Sequence, residues 1–207
     1  MTAIYHITHT DNLPLILEQN GLCSDNERKI RQLSPVGIAH NHIKERRAHK
    51  RVIKSQGGTL ADYVPFYFAP RSPMLYAIHK NQVEGYNGTQ QNVVHLCTSV
   101  EIIAQKALPY FFTDGHAVME ISEPFEDLTD LSRIDWNIMR ETYWHDTDND
   151  GDRTRRRQAE FLLYQFLPWT MVTEIGVMTE RIAQQVTEKL KEADYIPQIV
   201  VHREWYY

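Results

Sequence analysis

No regular alternation of strand-like and helix-like segments runs through this chain of 207 residues, and that constrains the fold more than any single motif. A parallel, doubly wound sheet needs a helical crossover between successive strands. Here strand-like apolar runs recur without that rhythm, at Ala3–His9, Val64–Phe68, Val93–Thr98, Ala117–Ile121, Thr173–Val177 and Ile199–Trp205. Helical spacing is confined to a few places. Leu13, Ile16 and Leu17 share a face after the cap candidates Asp11 and Asn12, with Pro14 in the first turn and Gly21 as a stop. Leu131, Ile134 and Ile138 repeat helically, widened by Trp136, Met139 and Tyr143, and Ile182, Val186 and Leu190 mark a helix over Thr179–Lys191. Met74–His79 and Glu160–Phe166 fit a strand or a helix equally, because runs so short carry no decisive period. Neither GxGxxG nor GxxxxGK[ST] occurs, which leaves dinucleotide-binding doubly wound folds and P-loop enzymes unsupported. The pattern predicts an α+β domain on an antiparallel or mixed sheet.

A hydrophobic fraction of 42% is enough for a sizeable core. The length predicts one domain over residues 1–207. No apolar run approaches the ~18 residues needed to span a bilayer. The opening MTAIYHITHTDN lacks a basic region followed by an apolar stretch. Cys23 and Cys97 do not make a disulfide framework or a paired ligand motif, so an intracellular protein is expected.

The formal net charge of -5 hides a strong asymmetry. Between residues 28 and 54, Arg28, Lys29, Arg31, Lys44, Arg46, Arg47, Lys50, Arg51 and Lys54 face the single acid Glu45. A second cluster, Arg153, Arg155, Arg156 and Arg157, lies just before Glu160. A locally basic surface on an acidic protein can attract polyanions, although solvated loops with ordinary charge bias give the same pattern. Residues 24–62 read as a long surface excursion, helical over Asn41–Ser55 and broken at Gly57-Gly58. The aromatics Tyr63, Phe66, Tyr67 and Phe68 follow it, placed either to stack bases or to fill a core.

Glu160 stands between the arginine cluster and the apolar run FLLYQF. A carboxylate held at the mouth of a core element and kept ionised by nearby arginine can stabilise positive charge or accept a proton. An exposed ion pair with Arg156 or Arg157 fits the same pattern. Nothing local separates Arg51 from Arg46 or Arg47, and its use would lie in bidentate contact with phosphate or carboxylate. His116, at a turn in FTDGHA, is a candidate site residue or a structural hydrogen bonder. Alternation puts His6 and Thr8 on one face of the first strand. The irregular spacing of His40, His42 and His49, and the lack of HExxH, predict no metal.

Four segments in order carry a resemblance to a known family: YHITHTDNLPLILEQNGL, PFYFAPRSPMLY, FTDGHA and RRRQAEFLLYQFLPW. Together they resemble the DarT toxins, DNA-modifying ADP-ribosyltransferases of bacterial DarT–DarG toxin–antitoxin pairs. The resemblance covers nearly the whole chain. It implies the split, mostly antiparallel sheet of ADP-ribosyltransferases with peripheral helices, and NAD lying across a cleft between two small sheets. It implies transfer of ADP-ribose to thymidine in single-stranded DNA, or to guanosine in a related branch, with NAD consumed as substrate. A DarG-like macrodomain antitoxin is the implied partner, the bacterial cytoplasm the implied location, and a monomer the expected state. Glu160 matches the catalytic glutamate, Arg51 the active-site arginine and His116 a histidine near them. His6, Thr8 and Asn12 match an opening motif facing NAD, and Arg31 and Tyr67 complete the expected NAD-contacting set. Lys44, Arg47, Lys54, Arg153, Arg155 and Arg156 are the expected DNA contacts, the last three on a loop from Asp146 to Arg157 that matches the substrate-recognition loop. The resemblance also favours Glu160 as the start of a strand. The competing functions are an enzyme of the same fold acting on guanosine, RNA or protein, and a nucleic-acid-binding protein without catalysis.

Overall fold

A computed structural model describes residues 1–207. In chain order the first half holds β1 (Ala3–His9), α1 (Leu13–Glu18), β2 (Gly21–Cys23), α2 (Asp25–Ile30), α3 (Asn41–His49), β3 (Tyr63–Tyr67), α4 (Pro73–His79), β4 (Val93–Ser99) and α5 (Val100–Gln105). The second half holds β5 (Tyr110–Thr113), β6 (Pro124–Phe125), α6 (Trp136–Arg140), α7 (Arg153–Arg157), β7 (Glu160–Tyr164), β8 (Phe166–Pro168), β9 (Glu174–Val177), α8 (Glu180–Leu190) and β10 (Gln198–Val201). Eight strands form one sheet in the order β10-β9-β4-β1-β3-β7-β5-β6, and β2 pairs with β8 beside it. Every neighbouring pair is antiparallel except β9 and β10. The architecture is α+β, with peripheral helices around a mostly antiparallel sheet.

The sheet is split along one seam. β1 pairs with β4 over seven residues, from Ala3 with Ser99 to His9 with Val93, yet it meets β3 only at Tyr5 opposite Tyr67. Beyond that pair the strands part. The two expected small sheets are therefore one continuous sheet joined at a single residue pair. Pro65 lies on the parted edge of β3, where its carbonyl accepts a hydrogen bond from Nδ1 of His6 at 2.8 Å. A proline there costs no ladder bond, because the edge has no ladder partner to receive an N–H.

The elements follow from familiar chemistry. β4 is buried along its whole length, which explains its continuous apolar run VVHLCTS. In α8, Ile182, Val186 and Leu190 are completely buried at i, i+4 and i+8, and the Thr179 side chain caps the helix by accepting from the Ile182 N–H. Each buried side chain of this kind contributes about 1.5–3 kcal/mol. The chain turns at Asn20 and Gly21 begins β2, where a side chain would meet the Leu167 carbonyl at 2.1 Å, so glycine is required by close approach.

Three expectations are corrected. Ala117–Ile121 is no strand: Ala117 and Val118 are buried, Ile121 is exposed, and the Met119 and Ser122 N–H groups close tight turns. The helix expected over Asn41–Ser55 ends at His49, and the one over Leu131–Tyr143 is a 3-10 turn followed by the short α6. The aromatic run Tyr110–Thr113, not singled out in the sequence, is the strand that flanks β7.

Candidate active site

Where β1 and β3 part, a cleft of about 950 Å³, its open mouth included, faces solvent. Its walls are β1, the Tyr67 end of β3, the segment 36–39 and the inner face of α3, with His116 and Glu160 among the lining residues. Glu160 is the first residue of β7, directly opposite Tyr67 in the ladder, and only 2% exposed. Both carboxylate oxygens are held. Nη1 of Arg47 donates to Oε2 at 2.7 Å, while Nδ1 of His116 and the Ala117 N–H donate to Oε1 at 3.1 and 3.0 Å. Burial alone would raise the Glu160 pKa, but Arg47, His116 and the Ala117 N–H outweigh it and bring the value down to about 2. A carboxylate accepts only, so the His116 Nδ1 facing it carries a proton.

Each partner is itself placed. Arg47 comes from the second turn of α3, is 7% exposed, and has Nη2 3.4 Å from the Leu60 carbonyl. The His116 N–H donates to the Arg155 carbonyl at 3.1 Å, tying the turn after β5 to α7. Thr113 fixes that turn by donating to the Gly115 carbonyl at 2.7 Å. A Cβ on Gly115 would meet the Arg155 side chain, so a larger residue there would have to displace that guanidinium from its bonds to Asp152 and Asp114.

The NAD-contacting set expected from the sequence divides in the structure. His6, Thr8, Asn12 and Tyr67 all line the cleft. Burial foremost, then Arg28 and Arg47, depress His6 to about 4 against the raising effect of the Pro65 bond. His6 is thus neutral near pH 7, with its proton on Nδ1 and an unprotonated Nε2. Burial and the Glu160 charge push the Tyr67 phenol up, so it stays a neutral donor. Asn12 has both faces of its amide engaged by protein. Arg31 is a correction: it is exposed, bonded to Glu27 and Gln19, and absent from the cleft wall, where Arg28 stands instead. The shift is one helical turn of α2, whose inner face carries Arg28.

The arginine beside Glu160 is the second correction. Arg51 is exposed beyond the end of α3 and forms an isolated bridge with Thr59. Arg47, expected on a DNA surface, is buried against Glu160. Helix geometry explains the exchange: α3 ends at His49, so Arg51 has left the face that Arg47 shares with Lys44.

The basic cluster before Glu160 is the third. Arg155 is bonded at 2.7 Å to each carboxylate oxygen of Asp152 and reaches Asp114 at 3.1 Å. Arg156 pairs with Asp135 at 3.0 Å and also with Asp150 and Asp152. Arg153 donates to the Tyr143 and His145 carbonyls at 2.7 and 3.0 Å. Asp150 and Asp152 of the DTDNDGD stretch, with Asp114 and Asp135, pair Arg155 and Arg156 and turn them to bracing the loop, while Arg153 is bonded only to carbonyls and keeps its charge uncompensated. Arg155→Ala should therefore destabilise the fold, by about 1–3 kcal/mol from the orphaned bonds, and lower the melting temperature. A variant with weakened oligonucleotide binding and an unchanged melting temperature would contradict this. Lys44 remains on the cleft wall, and Lys54 faces Glu126 at 3.8 Å.

No group of three or more His, Cys, Asp or Glu side chains is arranged to hold a metal. No helix is long and apolar enough to cross a membrane.

A sheet parted at one seam, with a buried glutamate held ionised at the floor of the cleft, is an arrangement that can accommodate a cationic group. The family described as ssDNA thymidine ADP-ribosyltransferase, DarT, matches residues 5–207. The chain belongs to this family. It is 40% identical over 208 residues to a DNA ADP-ribosyl transferase of Thermus sp. (strain 2.9), covering 100% of this chain and 96% of that one. The fold is similar to Thermus sp. 2.9 DarT in complex with ADP-ribosylated ssDNA, with a TM-score of 0.91, 40% identity and coverage of 100% and 96%. It is also similar to the same protein in complex with NAD+, with a TM-score of 0.87, 38% identity and coverage of 100% and 98%.

Proposed function

We propose that this chain cleaves NAD and transfers its ADP-ribose to a base in single-stranded DNA, thymidine being the acceptor through its ring N3. The observation that carries the reading is Glu160: an anion at the floor of the cleft, fixed by three donors and ionised at any physiological pH. Nicotinamide departs from the ribose with the bonding electron pair, and positive charge grows on the sugar. A buried carboxylate already fixed by three donors favours that charge without reorganising, as in glycoside hydrolysis. The residues around it suit NAD. Lys44 offers positive charge for the diphosphate, with Arg28 beside it already paired to Asp25, and Nε2 of His6 and the Tyr67 hydroxyl offer an acceptor and a donor.

The acceptor step forms a bond from N3 to the ribose C1′ as the bond to nicotinamide breaks, and releases the N3 proton. A carboxylate with a pKa of about 2 is a weak base. Glu160 takes that proton late, once bond formation has made N3–H strongly acidic. Arg47 fixes one carboxylate oxygen and His116 the other throughout. The preference for single strands follows from access, since a duplex must first extrude the target base at a cost of a few kcal/mol. The partner implied by the family is a macrodomain antitoxin of the DarG type, and the toxin acts as a monomer in the bacterial cytoplasm.

The test is an intact-mass assay with NAD and, side by side, a thymidine-containing single strand, its duplex, a thymidine-free single strand, RNA and protein. The first should gain one ADP-ribose per modified base with matching release of nicotinamide. Modification of the RNA or protein with the single strand untouched would refute the reading.

A further inference from the structure

We propose that Asn12 is a positioning residue, a latch that holds the irregular segment between α2 and α3 closed over the cleft before any substrate binds. The geometry is complete on both faces of its amide. Nδ2 donates to the Thr8 hydroxyl at 3.1 Å and to the Val36 carbonyl at 3.0 Å, and Oδ1 accepts from the Val36 N–H at 2.7 Å. The side chain thereby gives Val36 the pair of bonds that a neighbouring strand would give it. Asn12 itself is 5% exposed and lies at the end of the turn that leads from β1 into α1, so the latch is mounted on rigid framework.

Residues 31–40 have no helix or strand to hold them. Residues 31–33 are tied back to α2, the Leu33 N–H donating to the Arg28 carbonyl at 2.9 Å; beyond them the segment is pinned by Ile38, buried beside Ile7 in a small core, and by the Asn12 bonds to Val36. Val36, Gly37, Ile38 and Ala39 form one wall of the cleft. Val36 is otherwise 41% exposed, so its backbone bonds to Asn12, not side-chain burial, fix that part of the wall. The far end of the excursion is secured separately, by Arg47 on Glu160 and by the Leu60 N–H on the Lys50 carbonyl. The latch therefore governs the wall and leaves the catalytic constellation in place. Its effect on turnover rests on the NAD seat proposed above; its effect on the segment does not.

A wall that is closed only part of the time weakens apparent affinity by the closed fraction. Losing two hydrogen bonds to Val36 should raise the KM for NAD about tenfold, with kcat within about twofold of wild type. The test uses full-length Asn12→Ala and Asn12→Asp; the aspartate keeps an acceptor for the Val36 N–H but loses both donors. Hydrogen exchange is followed without NAD. Both variants should exchange faster at residues 33–37, while Arg47 and its neighbours on α3 stay protected. Wild-type exchange at residues 33–37 in the variants would overturn the latch. So would faster exchange with an unchanged KM for NAD. Failure of the NAD reading would instead show as a wild-type protein that releases no nicotinamide, whatever the exchange pattern.

Discussion

Glu160→Gln should lose at least about 10²–10⁴-fold in ADP-ribose transfer, the range expected when a group acting on the transition state is removed. Glutamine keeps the shape and loses the negative charge that the developing ribose cation requires. The same substitution strands Arg47, which is 7% exposed and has no other carboxylate partner. Breaking a buried ion pair from one side costs about 3–5 kcal/mol, a large part of the ~5–15 kcal/mol that a domain has in total. Activity must therefore be read where the variant is demonstrably folded, with nicotinamide release per folded molecule as the measurement. Near-normal release from a folded Glu160→Gln protein would remove this residue from the mechanism.

The pH dependence gives a second readout of the same charge. The folded pKa of Glu160 is about 2 against an ordinary 4.5, so the unfolded chain binds the proton more readily. The stabilisation is fully present above about pH 4.5 and is lost as pH falls through the folded value near 2. It amounts to about 3 kcal/mol from the size of the shift, as an order of magnitude. Wild-type unfolding free energy should fall across that window more steeply than that of Glu160→Gln. Parallel curves would mean that the carboxylate is not held ionised by its neighbours.

Much of the framework is legible in the sequence because it depends on local periodicity. Ala3–His9 alternates, Ile182, Val186 and Leu190 share a helical face, and both elements form where the pattern puts them. Legibility ends where partners distant in sequence decide the outcome. AVMEI has strand composition, but the Ala117 N–H serves Glu160 instead of a ladder. The arginines of RTRRR look like a surface for phosphate, yet acids up to 41 residues away claim Arg155. Glu160 stands out by its place before a core run, although the sequence suggested Arg156 or Arg157 as its ion partner. The actual partner is 113 residues upstream. Arg46, Arg47 and Arg51 are equivalent as letters, and only the end of α3 at His49 and its orientation distinguish them. The spacing of Arg47 three residues after Lys44, with both reaching one cleft, was the available signal.

Arg47→Met should reduce transfer by about 10²-fold or more, whereas Arg51→Ala should stay within about twofold of wild type. Methionine keeps much of the apolar stem of the arginine and removes the donor to Oε2. Burial is the largest influence on Glu160 and acts to raise its pKa; without the opposing guanidinium it gains ground. The acid limb of the pH–rate profile should therefore move to higher pH in Arg47→Met and not in Arg51→Ala. Arg47→Lys should recover only part of the activity, since an ammonium cannot reproduce the planar fork that reaches both Glu160 and the Leu60 carbonyl. Combining Arg47→Met with Glu160→Leu removes both buried charges and should restore melting temperature relative to either single change, while leaving transfer abolished. That pattern separates charge pairing from catalysis. Loss of activity in Arg51→Ala with Arg47→Met active would transfer the role back to residue 51 and overturn the assignment.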